Sequence, residues 1–206
     1  MSGNLKFTSW LLLTVTMLAG LVSCQSRNPT PKPEGYPRIQ LPERSYQTYD
    51  TTCPYRFQYP TYAKITKDST NTNRPCWINV WYKPLGARLY LSYRQFDNLG
   101  RLQDYREDAR SFAYKHTVKA SSIEEQRIRR NSVSGIFYEL GGNTATALQF
   151  YATDSSQHFL RGSLYFNTKP NRDSLRPAIQ FLKKDMLKMI RTLEWNEGPE
   201  SGTGVK

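Results

Sequence analysis

Seven short segments, most of them rich in aromatic and β-branched residues, recur between Tyr55 and Phe166 of this 206-residue chain and constrain its fold more than any other feature. Such runs with breaks at Gly, Pro, Asn and Asp predict strands joined by tight connections. The segments are Tyr55–Tyr59, Cys76–Tyr82, Ala87–Arg94, Gln126–Arg130, Gly135–Leu140, Thr144–Ala152 and His158–Phe166. Only a few residues separate Cys76–Tyr82 from Ala87–Arg94 and Thr144–Ala152 from His158–Phe166, so these two pairs predict antiparallel hairpins.

The segment Cys76–Tyr82 is apolar on both faces, since Trp77 and Trp81 alternate with smaller apolar residues. It forms a predicted hairpin with Ala87–Arg94 across the break Lys83-Pro84-Leu85-Gly86. A strand with two apolar faces is usually covered on both sides. We therefore expect this strand to lie inside the sheet with material packed above and below it.

Two segments have helical periodicity instead. One runs from about Leu102 to Lys119, and the other begins near Asp173 or Ser174, either of which can cap it. The first stripe comprises Leu102, Tyr105, Ala109, Phe112, Ala113 and His116; the second comprises Leu175, Ile179, Leu182, Met186, Met189, Ile190 and Leu193. We expect Trp195 to pack back on the sheet. The order of elements predicts an α+β fold, a mainly antiparallel sheet flanked by helices, and is similar to the PsbP and Mog1-like α/β/α sandwich.

The N-terminus has the pattern of an export signal. Lys6 precedes an apolar run, Phe7–Val22, of 16 residues, which is shorter than the ~20 needed to span a hydrocarbon core. The run ends in Leu21-Val22-Ser23-Cys24, which resembles the lipobox of bacterial lipoproteins. That resemblance implies cleavage before Cys24, a thioether-linked diacylglycerol on its sulfur and an acylated amino group, palmitate being a typical chain. The alternative is an uncleaved membrane anchor with an incidental cysteine.

These features divide the chain into four parts. Residues 1–23 form the predicted lipoprotein signal peptide, and residues 24–45 form a lipid-anchored tether whose five prolines favour extended polyproline II structure. Residues 46–195 form a single α+β domain. Residues 196–206, rich in Gly, Glu and Ser, form a predicted disordered tail.

The charge is strongly basic, with 29 Lys and Arg against 17 Asp and Glu, giving a net charge of +12. Such a balance favours anionic partners, but export makes nucleic acid an unexpected one. The residues of the candidate partner-binding patch are Arg127, Arg129, Arg130, Lys184, Lys188 and Arg191. Two interpretations stay open at this point: an ordinary solvated face, or a patch for acidic lipid head groups, cell-wall polymer or an acidic protein.

Cys53 and Cys76 are the two cysteines left after the lipidation site, 23 positions apart. In an oxidising envelope compartment they predict a disulfide, which would stabilise the fold by roughly 3 kcal/mol on the chain-entropy argument. Two buried thiols are the alternative. No His or third thiol has the spacing of a metal site, so we predict no bound metal.

Candidate catalytic residues are few. Asp154, Ser155, Ser156 and His158 are adjacent, but one turn and one strand need not bring a nucleophile, a base and an acid together. His116 lies on the apolar stripe of its predicted helix. The carboxylate pairs Glu107 with Asp108, and Glu124 with Glu125, point in different directions on a helix or strand. The sequence therefore predicts no catalytic residue and no cofactor.

The ordered set of motifs resembles the gliding-motility lipoprotein GldD family of the Bacteroidetes over roughly residues 36–195. The matching segments are Cys53–Pro60, Cys76–Asn79, Gly142-Asn143, Gln149-Phe150, Thr153–Ser155, His158–Phe166, Pro170–Leu175 with one variable position, and Leu193 with Trp195. The resemblance implies an accessory lipoprotein of the gliding machinery and the linked type IX secretion system, with other envelope proteins of that machinery as partners. It implies no enzyme activity, no cofactor and no small-molecule substrate.

Orientation follows from the residues after the lipidation site. Surface lipoproteins of the Bacteroidetes tend to carry acidic residues there, and Gln25-Ser26-Arg27-Asn28 has none. We therefore expect the domain to face the periplasm from the inner or the outer membrane. The alternative function is an envelope hydrolase or ligand-binding lipoprotein acting on cell wall, lipid or peptide, which would need a concave pocket with convergent polar groups.

Overall fold

The computed structural model describes residues 39–68, 73–74, 76–116 and 118–196. Neither helix in these ranges has the length and hydropathy of a membrane-spanning segment. The elements in chain order are β1 Tyr46–Tyr49, β2 Tyr55–Pro60, β3 Lys64–Lys67, β4 Ile78–Tyr82, β5 Ala87–Gln95, α1 Leu99–Tyr114, β6 Ile123–Arg130, β7 Val133–Leu140, β8 Thr146–Thr153, β9 His158–Phe166, α2 Arg172–Arg191 and β10 Glu194–Trp195.

Seven strands form one antiparallel sheet in the order β3-β4-β5-β9-β8-β7-β6. The predicted hairpin is confirmed, because Ile78 of β4 pairs with Leu91 of β5 and the register continues to the turn. In that turn Gly86 adopts φ 57°, a left-handed conformation in which a residue without a Cβ atom is unstrained. The long pairing of β5 with β9 places the first half of the domain beside the second half.

A second, smaller sheet has the order β1-β2-β10. Trp195 of β10 pairs with Tyr55 of β2, and its indole Nε1 donates to the carbonyl oxygen of Ser132 at 3.1 Å. The Trp195 ring also stacks on His158 of β9, with ring centroids 5.3 Å apart. The prediction that Trp195 packs back on the sheet is therefore confirmed.

The two helices cover opposite faces of the large sheet, which confirms the α+β class. Alternation along β9 puts Leu160 and Leu164 in the core beneath α2, while Phe159 joins a second core beneath α1. Strand β2 contributes Tyr55 and Phe57 to the first core. One face is thus closed by α2 together with the small sheet, and the other face is covered by α1.

Helix boundaries differ from the predictions. Helix α1 ends at Tyr114 rather than near Lys119, because the N–H of His116 bonds the carbonyl of Ala113 in a tighter turn. Helix α2 is capped by Asn171, whose side chain accepts from the N–H of Ser174 at 3.2 Å. The expected cap at Asp173 or Ser174 is wrong, since Asn171, two or three residues earlier, already accepts one of the first free N–H groups, that of Ser174.

Strand β4 lies inside the sheet, between β3 and β5, as predicted, but its second face is only partly covered. Its Ile78 face is buried, and on the other face Asn79 is buried while Trp77 and Trp81 are half-buried. Arginine side chains cover these rings instead: the Arg74 guanidinium lies 4.7 Å from the Trp77 ring centroid and that of Arg88 lies 5.6 Å from Trp81. The tryptophans on the second face of β4 thus stack with arginine side chains, and the alternation of residues in the sequence does not reveal this.

Cys53 and Cys76 are joined by a disulfide with Cα atoms 5.5 Å apart. The Tyr55 hydroxyl donates to the carbonyl oxygen of Cys76 at 2.7 Å, and the Tyr49 hydroxyl donates to the sulfur of Cys53. The bridge connects the loop before β2 with the segment that enters β4.

Candidate docking surface

Four of the six predicted basic residues lie together on one concave surface. The basic surface, as we call it, is an open depression of about 780 Å³ lined by Arg44, Tyr46, Arg130, Lys184, Lys188, Arg191 and Thr192. Helical spacing places Lys184, Lys188 and Arg191 on one side of α2, and Arg130 approaches them from the end of β6. The basic surface thus joins the start of the domain to its last helix.

Arg127 and Arg129 lie on the opposite face of the large sheet. Ile128, between them, packs in the core beneath α2, and successive side chains of a strand alternate between faces. The side chains of Arg127 and Arg129 are exposed on the side of α1. Alternation along β6 therefore places Arg127 and Arg129 on one face of the sheet and Arg130 on the other, although the three are close in sequence.

Arg44 and Tyr46 belong to the basic surface although sequence analysis did not select them. Both contact Asp185 of α2, whose side chain is fully buried. The Arg44 Nε donates to the Asp185 Oδ1 at 3.1 Å, and the Tyr46 hydroxyl donates to the same oxygen at 2.8 Å. The Tyr62 hydroxyl donates to the other oxygen. The sequence offered one signal for these contacts: Asp185 lies beside the apolar stripe of α2, and a buried carboxylate needs hydrogen-bond or charge partners from other parts of the chain.

The Arg44 guanidinium is held on three sides. Besides Asp185, it donates to the carbonyl oxygen of Phe181 at 3.0 Å and lies 3.8 Å from the centroid of the Phe181 ring. Burial and the bond to Asp185 raise the pKa of Tyr46 to about 12, so this phenol is neutral at physiological pH. Asp185 with Arg44, Tyr46 and Tyr62, which we call the Asp185 cluster, therefore holds the rim of the basic surface in place. It adds no uncompensated negative charge to that surface.

The remaining cations of the basic surface have no acidic partner within the described ranges. Arg130, Lys184, Lys188 and Arg191 take part in none of the ion pairs found there. Lys188 instead lies 5.5 Å from the Tyr46 ring centroid, and the Arg191 Nε donates to the carbonyl oxygen of Leu187. A concave surface with several uncompensated cations can bind an acidic group by charge and by hydrogen bonds.

A second buried carboxylate, Glu139 of β7, binds the other end of α2. Lys183 donates to it at 2.6 Å, and Arg172 and Gln180 donate at 3.1 Å. Burial of Glu139 disfavours its charged form, but the bonds and charges of Lys183 and Arg172 outweigh that effect and lower its pKa.

We expect Glu139→Gln to destabilise the chain near pH 7 and to destabilise it less as the pH falls. The folded-state pKa lies below the unfolded value of about 4.3, so the ionised group contributes its full stability above that value. The contribution is lost as pH falls through the folded-state pKa. Thermal melts of both proteins from pH 7 to pH 3 measure the gap, with exposed Glu107→Gln as control. A gap that stays constant with pH would contradict this assignment.

Asp154, Ser155 and Ser156, with His158 just beyond them, form a turn rather than a catalytic group. Asp154 accepts the N–H groups of Ser156, Gln157 and His158 at 2.9–3.0 Å. Burial opposes its ionisation, but these bonds and that of the Ser156 hydroxyl outweigh it and lower the pKa of Asp154. The His158 ring points away, with its Nδ1 2.7 Å from the Tyr93 hydroxyl. The side chains therefore do not converge as a triad requires.

The other candidate catalytic residues do not form a common site either. Burial lowers the pKa of His116, which lies in the turn after α1. Glu107 accepts from Gln103, and Glu125 accepts from the Tyr114 hydroxyl, while Asp108 lines a cavity. Within residues 39–68, 73–74, 76–116 and 118–196, no three His, Cys, Asp or Glu side chains are grouped as metal ligands would be. Cys24 and the predicted signal peptide lie outside the described residues.

Comparison with known proteins gives one family. The model of the family described as gliding motility lipoprotein GldD matches residues 26–195. No curated protein matches the sequence. Among solved structures, the chain is similar to the solution structure of cyanobacterial PsbP (CyanoP) from Synechocystis sp. PCC 6803. The identity is 12%, the TM-score is 0.43, and the match covers 80% of this chain and 99% of that chain.

Proposed function

We propose a function from the premise that the chain belongs to the gliding motility lipoprotein GldD family. In this proposal the protein is a non-catalytic accessory component of the gliding machinery and the linked type IX secretion system. In this proposal Cys24 carries the lipid and the domain faces the periplasm. The basic surface docks on an acidic protein of the same machinery. The single observation that carries the docking step is the group of uncompensated cations at Arg130, Lys184, Lys188 and Arg191.

Chain connectivity supports a tethered arrangement. Arg44 lines the basic surface and is only 20 residues beyond Cys24. An extended Pro-rich segment rises ~3.1 Å per residue, so a tether as long as residues 25–36 would span roughly 35–40 Å if extended. Such a tether confines the domain near a bilayer and raises the effective concentration of the basic surface around membrane-bound partners.

A protein partner fits the shape of the basic surface better than a lipid head-group layer does. The surface is concave and has cation–ring pairs, Arg44 with Phe181 and Lys188 with Tyr46. Arginine and tyrosine are typical anchors of protein interfaces. A flat bilayer would instead meet the most protruding side chains. We therefore assign the basic surface to an acidic protein surface.

Reversing charges at two different places distinguishes a docking role of the basic surface from an effect of the protein's net charge. We expect Arg130→Glu with Lys184→Glu to reduce gliding and type IX secretion at least tenfold, because both side chains are exposed on the basic surface and repel an acidic partner. Arg127→Glu with Arg129→Glu is the matched control, equal in charge change and also exposed. Both functions are measured in cells with equal protein levels. Equal effects of the two double variants would contradict the proposal.

The nature of the partner needs a separate measurement. A photocrosslinking amino acid placed at Lys184 should give a discrete protein adduct in intact envelopes. Its yield should fall when Arg130→Glu is added, because both positions line the same depression. Adducts with lipid alone would contradict a protein partner and favour a head-group site.

A further inference from the structure

The face of the large sheet beneath α1 holds a cavity of about 550 Å³. Helix α1 packs over β8 and β9, and the side chains of β4 and β5 on this face extend beyond its cover. The volume is typical of small-molecule sites in proteins. None of the turn residues Asp154–Gln157 lines it, and it is on the opposite face of the sheet from α2.

Aromatic rings surround the cavity and remain accessible. Tyr90 and Tyr165, on neighbouring strands, form an edge-to-face pair with centroids 5.6 Å apart. Tyr90 is 43% exposed, Tyr165 is 37% exposed and Phe112 of α1 is 41% exposed. Phe112 was predicted to be buried on the helix stripe, which is wrong because its ring lies at the cavity wall. Accessible rings around a concave site suit a flat or apolar ligand body.

Two arginines lie on this same face. Register pairs Arg94 of β5 with Phe159 and Arg161 of β9 with Ser92, so the arginines are diagonal neighbours on adjacent strands. The Arg94 guanidinium is 4.9 Å from the Tyr105 ring centroid, and that of Arg161 is 4.3 Å from the Phe112 centroid. Neither forms an ion pair within the described ranges.

Arg161 has unused binding capacity. Its one hydrogen bond among the described residues goes to the Gln149 side-chain oxygen at 3.2 Å, whereas a guanidinium has five N–H donors. Burial lowers the pKa of Arg161 and Arg94 acts in the same direction, whereas Tyr165 and Asp108 oppose this shift without cancelling it. A partly desolvated guanidinium with free donors is stabilised by an anion, and a carboxylate matches its forked geometry.

The acidic side of the cavity limits the kind of anion. Asp68 and Asp108 also line the cavity, and the charge of Asp108 acts on Arg161. A dianion such as a phosphate monoester would be repelled by Asp108, whereas a single carboxylate next to Arg161 is compensated by that guanidinium. The neutral part of the ligand would then contact the rings.

We propose that this cavity binds a monocarboxylate carried on an aromatic body, with the carboxylate at Arg161 and the ring between Phe112 and the Tyr90–Tyr165 pair. Two sources share this chemistry: a small aromatic acid, and the C-terminal aromatic residue of a peptide. The site is independent of the basic surface, and it gives the domain a ligand-binding role beyond docking.

The test uses the full lipidated chain in phosphatidylcholine nanodiscs, with empty nanodiscs subtracted, and isothermal titration calorimetry. The probes are 4-hydroxyphenylacetate and N-acetyl-Ala-Phe, each compared with its neutral amide. We expect at least one acid to bind at least tenfold more tightly than its amide, because the amide lacks the charge-assisted bonds to Arg161. The pair with the larger difference identifies the source.

Variants locate the site. Arg161→Gln should weaken the acid at least tenfold and leave the amide unchanged, and Phe112→Ala should weaken both acid and amide. Arg127→Gln, on the same face but at the far strand, is the matched control and should change neither. Phe112→Ala changes an exposed side chain, so it keeps the test valid if Arg161→Gln does not fold. Equal affinity of acid and amide, or no binding of any probe at millimolar concentration, would overturn the proposal.

Discussion

Replacing Asp185 with alanine is expected to lower the free energy of unfolding by about 3–5 kcal/mol, the range for breaking a buried charge pair by removing one partner. Asp185 has no exposed surface and accepts hydrogen bonds from Arg44, Tyr46 and Tyr62. Without the carboxylate, a half-buried guanidinium loses its counter-charge and two phenols lose their acceptor. The loss should also detach the first residues of the domain from α2.

Chemical denaturation of the full chain measures this effect. Asp173→Ala is the matched control, because Asp173 is on the same helix but its pair with Arg176 is exposed, and such pairs contribute about 0–1 kcal/mol. Asp185→Asn keeps the shape and one acceptor, so it should fall between the two. If Asp185→Ala were no more destabilising than Asp173→Ala, the Asp185 cluster would not be the link between the start of the domain and α2.

Replacing Cys24 with alanine is expected to abolish gliding and type IX secretion while leaving the domain folded. The predicted anchor depends on acyl chains, each buried CH₂ contributing ~0.8 kcal/mol, and alanine has no sulfur to carry them. The described part of the chain has its own core, and its disulfide joins Cys53 with Cys76. We therefore expect loss of function through release from the bilayer rather than through unfolding.

The comparison is made by fractionation, motility and secretion assays, and circular dichroism of the purified protein. Ser26→Ala is the matched control, two residues beyond the lipidation site. Replacing the signal peptide and Cys24 with a transmembrane helix should restore function if anchoring is what matters. Normal motility from a soluble Cys24→Ala protein would contradict the tethered role.

Most of the fold was predictable because its signals are local. The runs that became β4, β5, β8 and β9 have strand composition and clear breaks, and the two helices have apolar stripes. Strands β1, β3 and β10 were not predicted, since they have only four, four and two residues, and β10 also pairs with a strand far away in the sequence. Pairing of Trp195 with Tyr55, for example, joins opposite ends of the domain.

The candidate site was predictable only where one element determined it. Helical spacing correctly grouped Lys184, Lys188 and Arg191. It could not find Arg44, which reaches the basic surface through the tertiary contact with Asp185. Strand alternation at Ile128 separates Arg127 and Arg129 from Arg130, but only knowledge of which face α2 covers makes that alternation informative.

The cavity was hidden for a related reason. Phe112 follows the helical period of a buried stripe, and Trp77 follows the pattern of a covered strand. Their exposure depends on how far α1 extends over the sheet, which is decided by packing rather than by periodicity. The family, in contrast, was identified from ordered motifs, and the match over residues 26–195 confirms it.

The most direct test of the tethered account is the mass of the N-terminal peptide of the native protein purified from membranes. We predict a peptide that begins at Cys24 and carries the added mass of a diacylglyceryl group and an N-linked acyl chain. A peptide beginning at Met1, or Cys24 with an unmodified sulfur, would contradict the account.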